Sequence, residues 1–145
     1  MALVEKTVLV AHSAERMFNL VDRVELYPEF LPWCGGGKVV TVNESTVHAS
    51  VQIDYHHLKQ SFTTENVRTP PHQIAMTLQD GPFKQLDGTW RFIPLNASAC
   101  KIEFRLHYEF SSKMLEKLVG PVFHYIANSF VDAFIHRADK VYTEE

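Results

Sequence analysis

Residues 46–110 alternate between apolar and polar side chains, whereas residues 112–142 carry apolar side chains three and four positions apart. Alternation is typical of strands that bury one face, because successive side chains of a strand point to opposite sides. Spacing by three and four is typical of an amphipathic helix. A sheet with one apolar face needs a cover, and a long helix with an apolar stripe provides it. The chain is therefore predicted to be an α+β protein in which a curved antiparallel sheet wraps around a long C-terminal helix.

The other elements follow from the same patterns and from turn residues. Residues 3–11 predict a first strand, Ser13 is a suitable N-cap for a short helix, and a second short helix or turn is expected over residues 22–31. A strand is expected from Lys38 onward. Prolines and glycines divide the rest into strands over 46–55, 59–68, 73–79, 85–92 and 100–110, with turns at 70–71, 80–82 and 94–98. The predicted sheet has six or seven strands.

Length and composition limit the function classes. With 145 residues, 46% apolar and 21% charged, the chain is expected to form a single domain over residues 1–145. A net charge of −3 argues against nonspecific binding to DNA or RNA, which needs a densely basic surface. No apolar stretch of about 18 residues is apparent, and Glu5 and Lys6 interrupt the N-terminal apolar run of a possible signal peptide. We expect a cytoplasmic protein with at most peripheral membrane contact, in which Cys34 and Cys100 are buried thiols.

The stretch YPEFLPWCGGGKVV, residues 27–40, is unusually apolar for a connecting segment. Its large side chains are expected to form one lip of a pocket: Tyr27, Phe30, Leu31 and Trp33. Gly35, Gly36 and Gly37 would then act as a hinge, because glycine supplies backbone freedom at an entropic cost. The alternative is that the large side chains plug an open end of the sheet and the glycines make a tight turn.

The strand predicted over residues 59–68 has no purely apolar face. Its inner side, if Phe62 points inward, also carries Thr64, Asn66 and Arg68. Small-molecule sites combine an apolar cavity with a few convergent polar groups, so this side is suited to the polar head of a ligand. The alternative is an edge strand with two solvated faces.

Large aromatic side chains are concentrated on the predicted inner surfaces, where they can enclose a pocket instead of packing tightly. They are Trp90, Phe92, Phe104, Tyr108, Phe123, Phe130 and Phe134. The indole N–H of Trp90 needs a partner if it is buried, and a ligand carbonyl would supply one. Core packing of Trp90 is the alternative. Phe83 either closes the mouth of the cavity or belongs to a simple turn.

Three motifs, in order along the chain, resemble a known family. They are YPEFLPWC (27–34), DGPFKQLDGTWRF (80–92) followed by Pro94-Leu95, and AFIHRA (133–138). Together they resemble the coenzyme Q-binding and ribosome association toxin family of the START-like, polyketide cyclase/dehydrase superfamily, over nearly the whole chain. The resemblance implies the helix-grip fold, with a hydrophobic cavity between the sheet and the C-terminal helix. The glycines after Cys34 depart from the mixed polar residues expected there.

The resemblance implies two functions of different classes. The favoured one is non-catalytic binding of a hydrophobic small molecule, ubiquinone or a related polyprenyl lipid, in support of respiration and with no cofactor required. The alternative is a toxin that binds the large ribosomal subunit and blocks subunit association. Such a protein would use a surface, where acidic residues are interspersed with the basic ones and leave a weak footprint for RNA: Arg91, Lys101, Arg105, Lys113 and Lys117.

Metal binding and catalysis are not predicted. His124 and His136 lie more than three turns apart on the long helix, and His56 and His57 would point to opposite faces of a strand. Neither pair has the spacing of a metal site. Acid–base pairs of a carboxylate with a histidine are conceivable, but no nucleophile and base have a recognisable spacing. A cyclase-like enzyme is therefore the least favoured class.

Overall fold

The computed structural model of the protein describes residues 2–55 and 57–142. Seven strands form one sheet: β1 Ala2–Val10, β2 Cys34–Thr41, β3 Thr46–Tyr55, β4 Leu58–Thr69, β5 Gln73–Asp80, β6 Phe83–Asn96 and β7 Ala99–Phe110. The helices are α1 Ala14–Asp22, a 3₁₀ helix Val24–Glu29 and α2 Lys113–Val141. This order is the predicted one: a strand, two short helices, six strands and a long helix.

The strand order in the sheet is β1-β7-β6-β5-β4-β3-β2, and all neighbouring strands are antiparallel. The edges are therefore β1 and β2. Strand β4 lies between β3 and β5, so the interpretation of residues 59–68 as an edge strand is wrong.

The inner face of the sheet carries the predicted apolar residues. In β3 the buried positions are Val47, Ala49, Val51 and Ile53, and in β7 every second residue from Cys100 to Phe110 is buried. Helix α2 covers this face with a buried side that includes Val119, Phe123, Ile126 and Phe134. It packs mainly against β7, β1 and α1. The predicted curved sheet around a C-terminal helix is confirmed.

Both α-helices begin at a serine that satisfies a backbone N–H of the first turn. The hydroxyl of Ser13 accepts a hydrogen bond from the backbone N–H of Arg16 at 3.1 Å, and that of Ser112 accepts one from Leu115 at 3.2 Å. Side-chain caps of this kind supply a partner for donors that have none within the helix. The predicted cap at Ser13 is confirmed.

Two strands extend beyond their predicted bounds by more than one residue at an end. Strand β2 already begins at Cys34, so the glycines that follow it belong to a strand. Strand β6 continues past Pro94, which lies opposite Cys100, and ends at Asn96 after an irregularity in the pairing. A proline is tolerated at such an irregular position near a strand end.

Helix α2 differs from expectation in one respect. Its best 18-residue window has a mean hydropathy of 1.3, so among the described residues it is long and apolar enough to cross a membrane by length and composition. The sequence-based expectation of no such stretch is therefore wrong. Core helices of soluble proteins meet the same criterion, and 33% of this window is buried within the fold.

Candidate functional site

A cavity lies between the concave face of the sheet and α2, and about 70 Å³ of it is open to water-sized molecules. Nine predicted site residues line it: Tyr27, Trp33, Phe62, Thr64, Asn66, Trp90, Phe104, Phe123 and Phe130. They come from the segment before β2, from β4, β6 and β7, and from α2. The fold thus brings together most of the residues that were predicted to share a site.

Five predicted site residues do not line the cavity: Phe30, Leu31, Phe83, Phe92 and Phe134. Each packs behind a lining residue or beside the cavity instead. Phe134 is fully buried, with its ring centroid 5.5 Å from that of Trp90 and 5.2 Å from that of Tyr27. Phe83 stacks on Phe110 at 4.9 Å. These side chains support the walls of the cavity.

Ten lining residues were not predicted as site residues: Val21, Val24, Ala49, Val51, Ile74, Met76, Leu86, Leu106, Ile126 and Ala127. The lining residues in strands lie on the same inner faces as the predicted aromatic residues. The alternation of apolar and polar side chains could therefore have predicted that they line the cavity. Those in α1 and the 3₁₀ helix had no such signal, because their place beside the cavity depends on tertiary packing.

The cavity is small for a ligand site. Pockets for drug-sized ligands have volumes of about 300–1,000 Å³, and an engineered cavity of about 150 Å³ binds benzene. The open 70 Å³ holds water-sized molecules only. Three lining side chains, Phe62, Met76 and Phe130, are only half-buried and reach the surface.

One wall of the cavity carries a buried polar pair. The hydroxyl of Thr64 donates a hydrogen bond of 2.7 Å to the side-chain oxygen of Asn66. Thr64 is 5% exposed and Asn66 is 7% exposed. Because the bond uses the amide oxygen, the amide nitrogen of Asn66 remains as a hydrogen-bond donor. The sequence predicted this inward pair from the position of Phe62 alone.

Arg68, on the same side of β4, does not line the cavity. Its guanidinium donates a hydrogen bond of 2.9 Å to the carboxylate of Asp22 at the end of α1. This half-buried ion pair ties α1 to the sheet. A buried charge without a partner is costly, so the ion pair with the carboxylate of Asp22 keeps the guanidinium of Arg68 out of the apolar interior.

Tyr27 is the single titratable side chain among the described lining residues. Its hydroxyl donates a hydrogen bond to the backbone carbonyl of Val21. Burial raises the pKa of Tyr27 far above its usual value, and the nearby carboxylate of Asp22 raises it further. Tyr27 therefore remains protonated and acts as a structural donor.

Trp90 lies at the centre of the aromatic wall. It is 1% exposed, and its ring centroid is 4.6 Å from that of Phe104 and 5.7 Å from that of Phe130. Phe92 stacks parallel to it at 5.9 Å. Trp90 therefore both lines the cavity and packs in the core, so the two interpretations of this residue are compatible.

The glycines of the opening stretch have a packing role. Gly37 lies in β2 against the 3₁₀ helix, and a Cβ atom there would overlap the backbone carbonyl oxygen of Val24. Only glycine permits this close approach of two backbones. The glycines lie in a strand whose closest contact excludes a side chain, so the tight-turn alternative is wrong, and the hinge stays a prediction.

The outer face of the sheet is mixed in charge, as predicted. Arg91 and Lys101 both lie near Glu103, at 3.1 and 3.7 Å, and Arg105 lies 3.9 Å from Glu5. Within the described residues no group of three or more histidine, cysteine or acidic side chains is placed to hold a metal ion. The prediction that His56 and His57 point to opposite faces of a strand concerns His56, which lies outside the described residues.

A profile of the family described as polyketide cyclase / dehydrase and lipid transport matches residues 10–135. The chain belongs to this family. It is 48% identical to a ribosome association toxin, RatA, from Vibrio cholerae, over 99% of this chain and 100% of that protein. It is 27% identical to coenzyme Q-binding protein COQ10 homolog B, mitochondrial, from Xenopus laevis, over 92% of this chain and 57% of that protein.

The fold also resembles that of a solved structure. The crystal structure of the ZhuI aromatase/cyclase from a Streptomyces species superimposes with a TM-score of 0.77 at 18% identity, over 96% of this chain and 94% of that one. At this identity the likeness concerns the fold alone. The resemblance inferred from the three sequence motifs is confirmed, and so is the helix-grip fold.

Proposed function

We propose that this protein binds a hydrophobic small molecule, ubiquinone or a related polyprenyl lipid, in the cavity between the sheet and α2. The observation that carries the proposal is the pair Thr64 and Asn66 on the wall of an otherwise apolar cavity. A buried polar pair is costly in a core that has only to pack, whereas a ligand site needs a few polar groups to orient its ligand.

The polar pair suits a carbonyl group. The hydroxyl of Thr64 is already used within the pair, so the amide nitrogen of Asn66 is free to donate to a ligand acceptor. The indole N–H of Trp90 is a second donor in the same wall. A quinone ring combines carbonyl acceptors with flat apolar faces, which match the aromatic lining.

Binding requires the cavity to enlarge, because about 70 Å³ cannot contain a substituted ring. The free energy gained by burying apolar surface of the ligand is expected to offset the cost of enlarging the cavity. A ligand that buries about 400 Å² of apolar surface gains about 10 kcal/mol at about 25 cal/mol per Å². After the entropic cost of association and the rearrangement of Phe62 and Met76, we expect an affinity in the micromolar range.

We propose that binding is not followed by chemistry. General acid–base catalysis needs a titratable group within reach of the substrate. Tyr27 is the titratable side chain among the described lining residues, and its hydroxyl is hydrogen-bonded to Val21. The role that fits this lining is storage or presentation of a lipid.

The test is mass spectrometry of organic extracts of the purified protein, followed by titration with ubiquinone. Ala49→Phe fills the cavity, since Ala49 lines it, and is expected to abolish both co-purification and binding. Ala75→Phe is the matched control because Ala75 is paired with the exposed Val67 on the outer face of the sheet. Ala127→Leu provides a second filling variant if Ala49→Phe does not fold. Extracts without quinone or lipid, together with no binding on titration, would refute the proposal.

A second function is association with the ribosome, and the observation that favours it is the 48% identity to the Vibrio cholerae toxin over nearly the whole of both chains. This function would use the outer surface of the same fold. The test is a sucrose-gradient profile of ribosomes after addition of purified protein, in which free subunits should accumulate. Unchanged subunit association counts against it. Ala49→Phe should retain this effect, so failure of one function is distinguishable from failure of the other.

A further inference from the structure

Helix α2 has a second apolar side that faces away from the core. Met114 is 72% exposed, Leu118 is 62% exposed and Tyr125 is 51% exposed. These positions are four and seven residues apart and therefore lie on one side of a helix, with the exposed Pro121 between them. We name this set, Met114, Leu118, Pro121 and Tyr125, the outer stripe.

The outer stripe is confined to the first half of α2. On the same side of the second half the exposed residues are polar, at Asp132 and His136. Single exposed apolar side chains are ordinary, but several aligned on one side of a helix form a patch of the kind that marks a contact surface. The core is contacted by the opposite side of the helix, which includes Val119 and Phe123, and within the patch Tyr125 also touches the sheet, at Tyr55.

Two cations lie beside the outer stripe, both along the same edge of it. Lys113 and Lys117 are exposed and one turn apart, and neither forms an ion pair within the described part of the chain. The basic residues of the outer sheet face differ in this respect, since Arg91 and Lys101 lie beside Glu103. Glu116 also lies in the first turn, but it projects from nearly the opposite side of the helix from Leu118.

The C-terminal end of the outer stripe contacts the sheet. Tyr125 stacks on Tyr55 at the end of β3, with ring centroids 6.0 Å apart. Phe123, two residues earlier, projects from the opposite side of α2 and contacts the half-buried lining residue Phe62 at 5.9 Å. The outer stripe and the contact with Phe62 therefore lie on opposite sides of the helix.

We propose that the first half of α2 docks on a bilayer containing anionic phospholipid. The outer stripe would enter the boundary of the acyl chains, and Lys113 and Lys117 would face the lipid phosphates. Helices that lie in a membrane interface combine an apolar side with flanking lysines in this way. The opposite side of α2 is buried in the fold, so the helix lies on the membrane and does not cross it.

A bilayer fits this surface better than a folded partner does. The outer stripe consists of four side chains, whereas stable protein interfaces need about 800 Å² on each partner with complementary packing. A fluid bilayer requires no complementary shape. The unpaired lysines match an anionic headgroup layer by charge. This inference does not depend on the cavity holding a ligand.

The first test is co-sedimentation of the full chain with vesicles of phosphatidylcholine, with and without phosphatidylglycerol. Met114→Asp and Leu118→Asp are each expected to weaken binding at least about tenfold, because an apolar side chain leaves the acyl boundary and a carboxylate replaces it. Leu9→Asp is the matched control, since Leu9 is also 72% exposed but lies on the edge strand β1. Lys113→Gln and Lys117→Gln should each cost about fivefold on anionic vesicles, and added salt should reduce the difference.

The second test measures how deeply the first half of α2 enters the bilayer. Leu118→Trp is expected to be quenched by brominated lipid, whereas Leu9→Trp should keep its fluorescence; Trp33 and Trp90 give a constant background because they are buried. Equal loss of vesicle binding in Leu9→Asp and Leu118→Asp would overturn the proposal, as would no binding of the unmodified protein to anionic vesicles. A dimer in solution that Leu118→Asp converts to monomer would overturn it too, because the outer stripe would then contact a second copy.

Discussion

Replacement of Gly37 by alanine tests the role of the glycines most directly. A Cβ atom at Gly37 would overlap the carbonyl oxygen of Val24 and lie 3.0 Å from its carbonyl carbon. Both atoms belong to the backbone of the 3₁₀ helix, so they cannot rotate away as a side-chain end does. The substitution must therefore separate β2 from the 3₁₀ helix, whose packing also positions Tyr27.

The expected magnitude follows from two opposing effects. Overpacking of a close contact costs about 1–3 kcal/mol, and the loss of glycine freedom in the unfolded chain returns about 0.4–1 kcal/mol. We expect Gly37→Ala to lower the free energy of unfolding by about 1–2 kcal/mol. For a domain of this size that corresponds to a melting temperature lower by roughly 2–8 °C.

Gly36→Ala is the matched control. Its Cβ atom would lie 3.1 Å from the side-chain oxygen of Gln52, which is the far end of a flexible side chain and can move. We expect its free energy of unfolding to equal that of the unmodified protein or to exceed it by up to about 1 kcal/mol, because only the entropic gain remains.

The assay is urea unfolding followed by fluorescence, with the midpoint as the readout and an unchanged m value as the check on two-state behaviour. The packing argument requires a large difference between Gly37→Ala and Gly36→Ala. Equal stability of the two variants would refute it. Hydrogen exchange that is fast across 35–37 in the unmodified protein would support the hinge interpretation.

Three further predictions concern buried polar groups. Asn66→Leu should lower the free energy of unfolding by about 1–3 kcal/mol, because the hydroxyl of Thr64 loses its acceptor. The double variant Thr64→Val/Asn66→Leu should be at least as stable as the unmodified protein, because neither buried polar group remains. Urea unfolding checks both variants, and a double variant less stable than the single one would contradict this reasoning. Tyr27→Phe should cost about 1–3 kcal/mol in the same assay, because the buried carbonyl of Val21 loses its donor, and an unchanged midpoint would count against that bond. Burial raises the pKa of Cys100 to about 11 from 9.0, so the unfolded thiol ionises first and the free energy of unfolding should fall between about pH 9 and 11. Cys100→Ala should reduce this slope, and an identical pH dependence in the two proteins would exclude the thiol as its cause.

The sheet could be predicted from the sequence because one face of it is buried. Strand β3 has both predicted bounds, since alternation runs without interruption from Thr46 to Tyr55. Strand β2 was predicted to start too late, because glycines carry no side chain whose alternation could mark a strand. The extension of β6 through Pro94 was missed since proline is usually a sign of a turn.

The site could be predicted in part. The inward direction of Thr64 and Asn66 followed from strand alternation once Phe62 was placed inside. Aromatic identity was a poorer guide, because Phe92 and Phe134 are as buried as Trp90 but lie behind the wall. Sequence patterns indicate which side of an element faces the core, whereas the presence of open space depends on how rings from distant elements meet.

Helix α2 packs mainly against β7, β1 and α1, so the two layers are joined along one flank. On the opposite flank, β3 and β4 meet the helix through ring contacts, Tyr55 with Tyr125 and Phe62 with Phe123. If the cavity takes up a ligand as proposed, we expect the sheet and the helix to separate on that side while the contacts of α2 with β7, β1 and α1 stay intact. Swelling of this kind would leave most of the protein's backbone hydrogen bonds undisturbed.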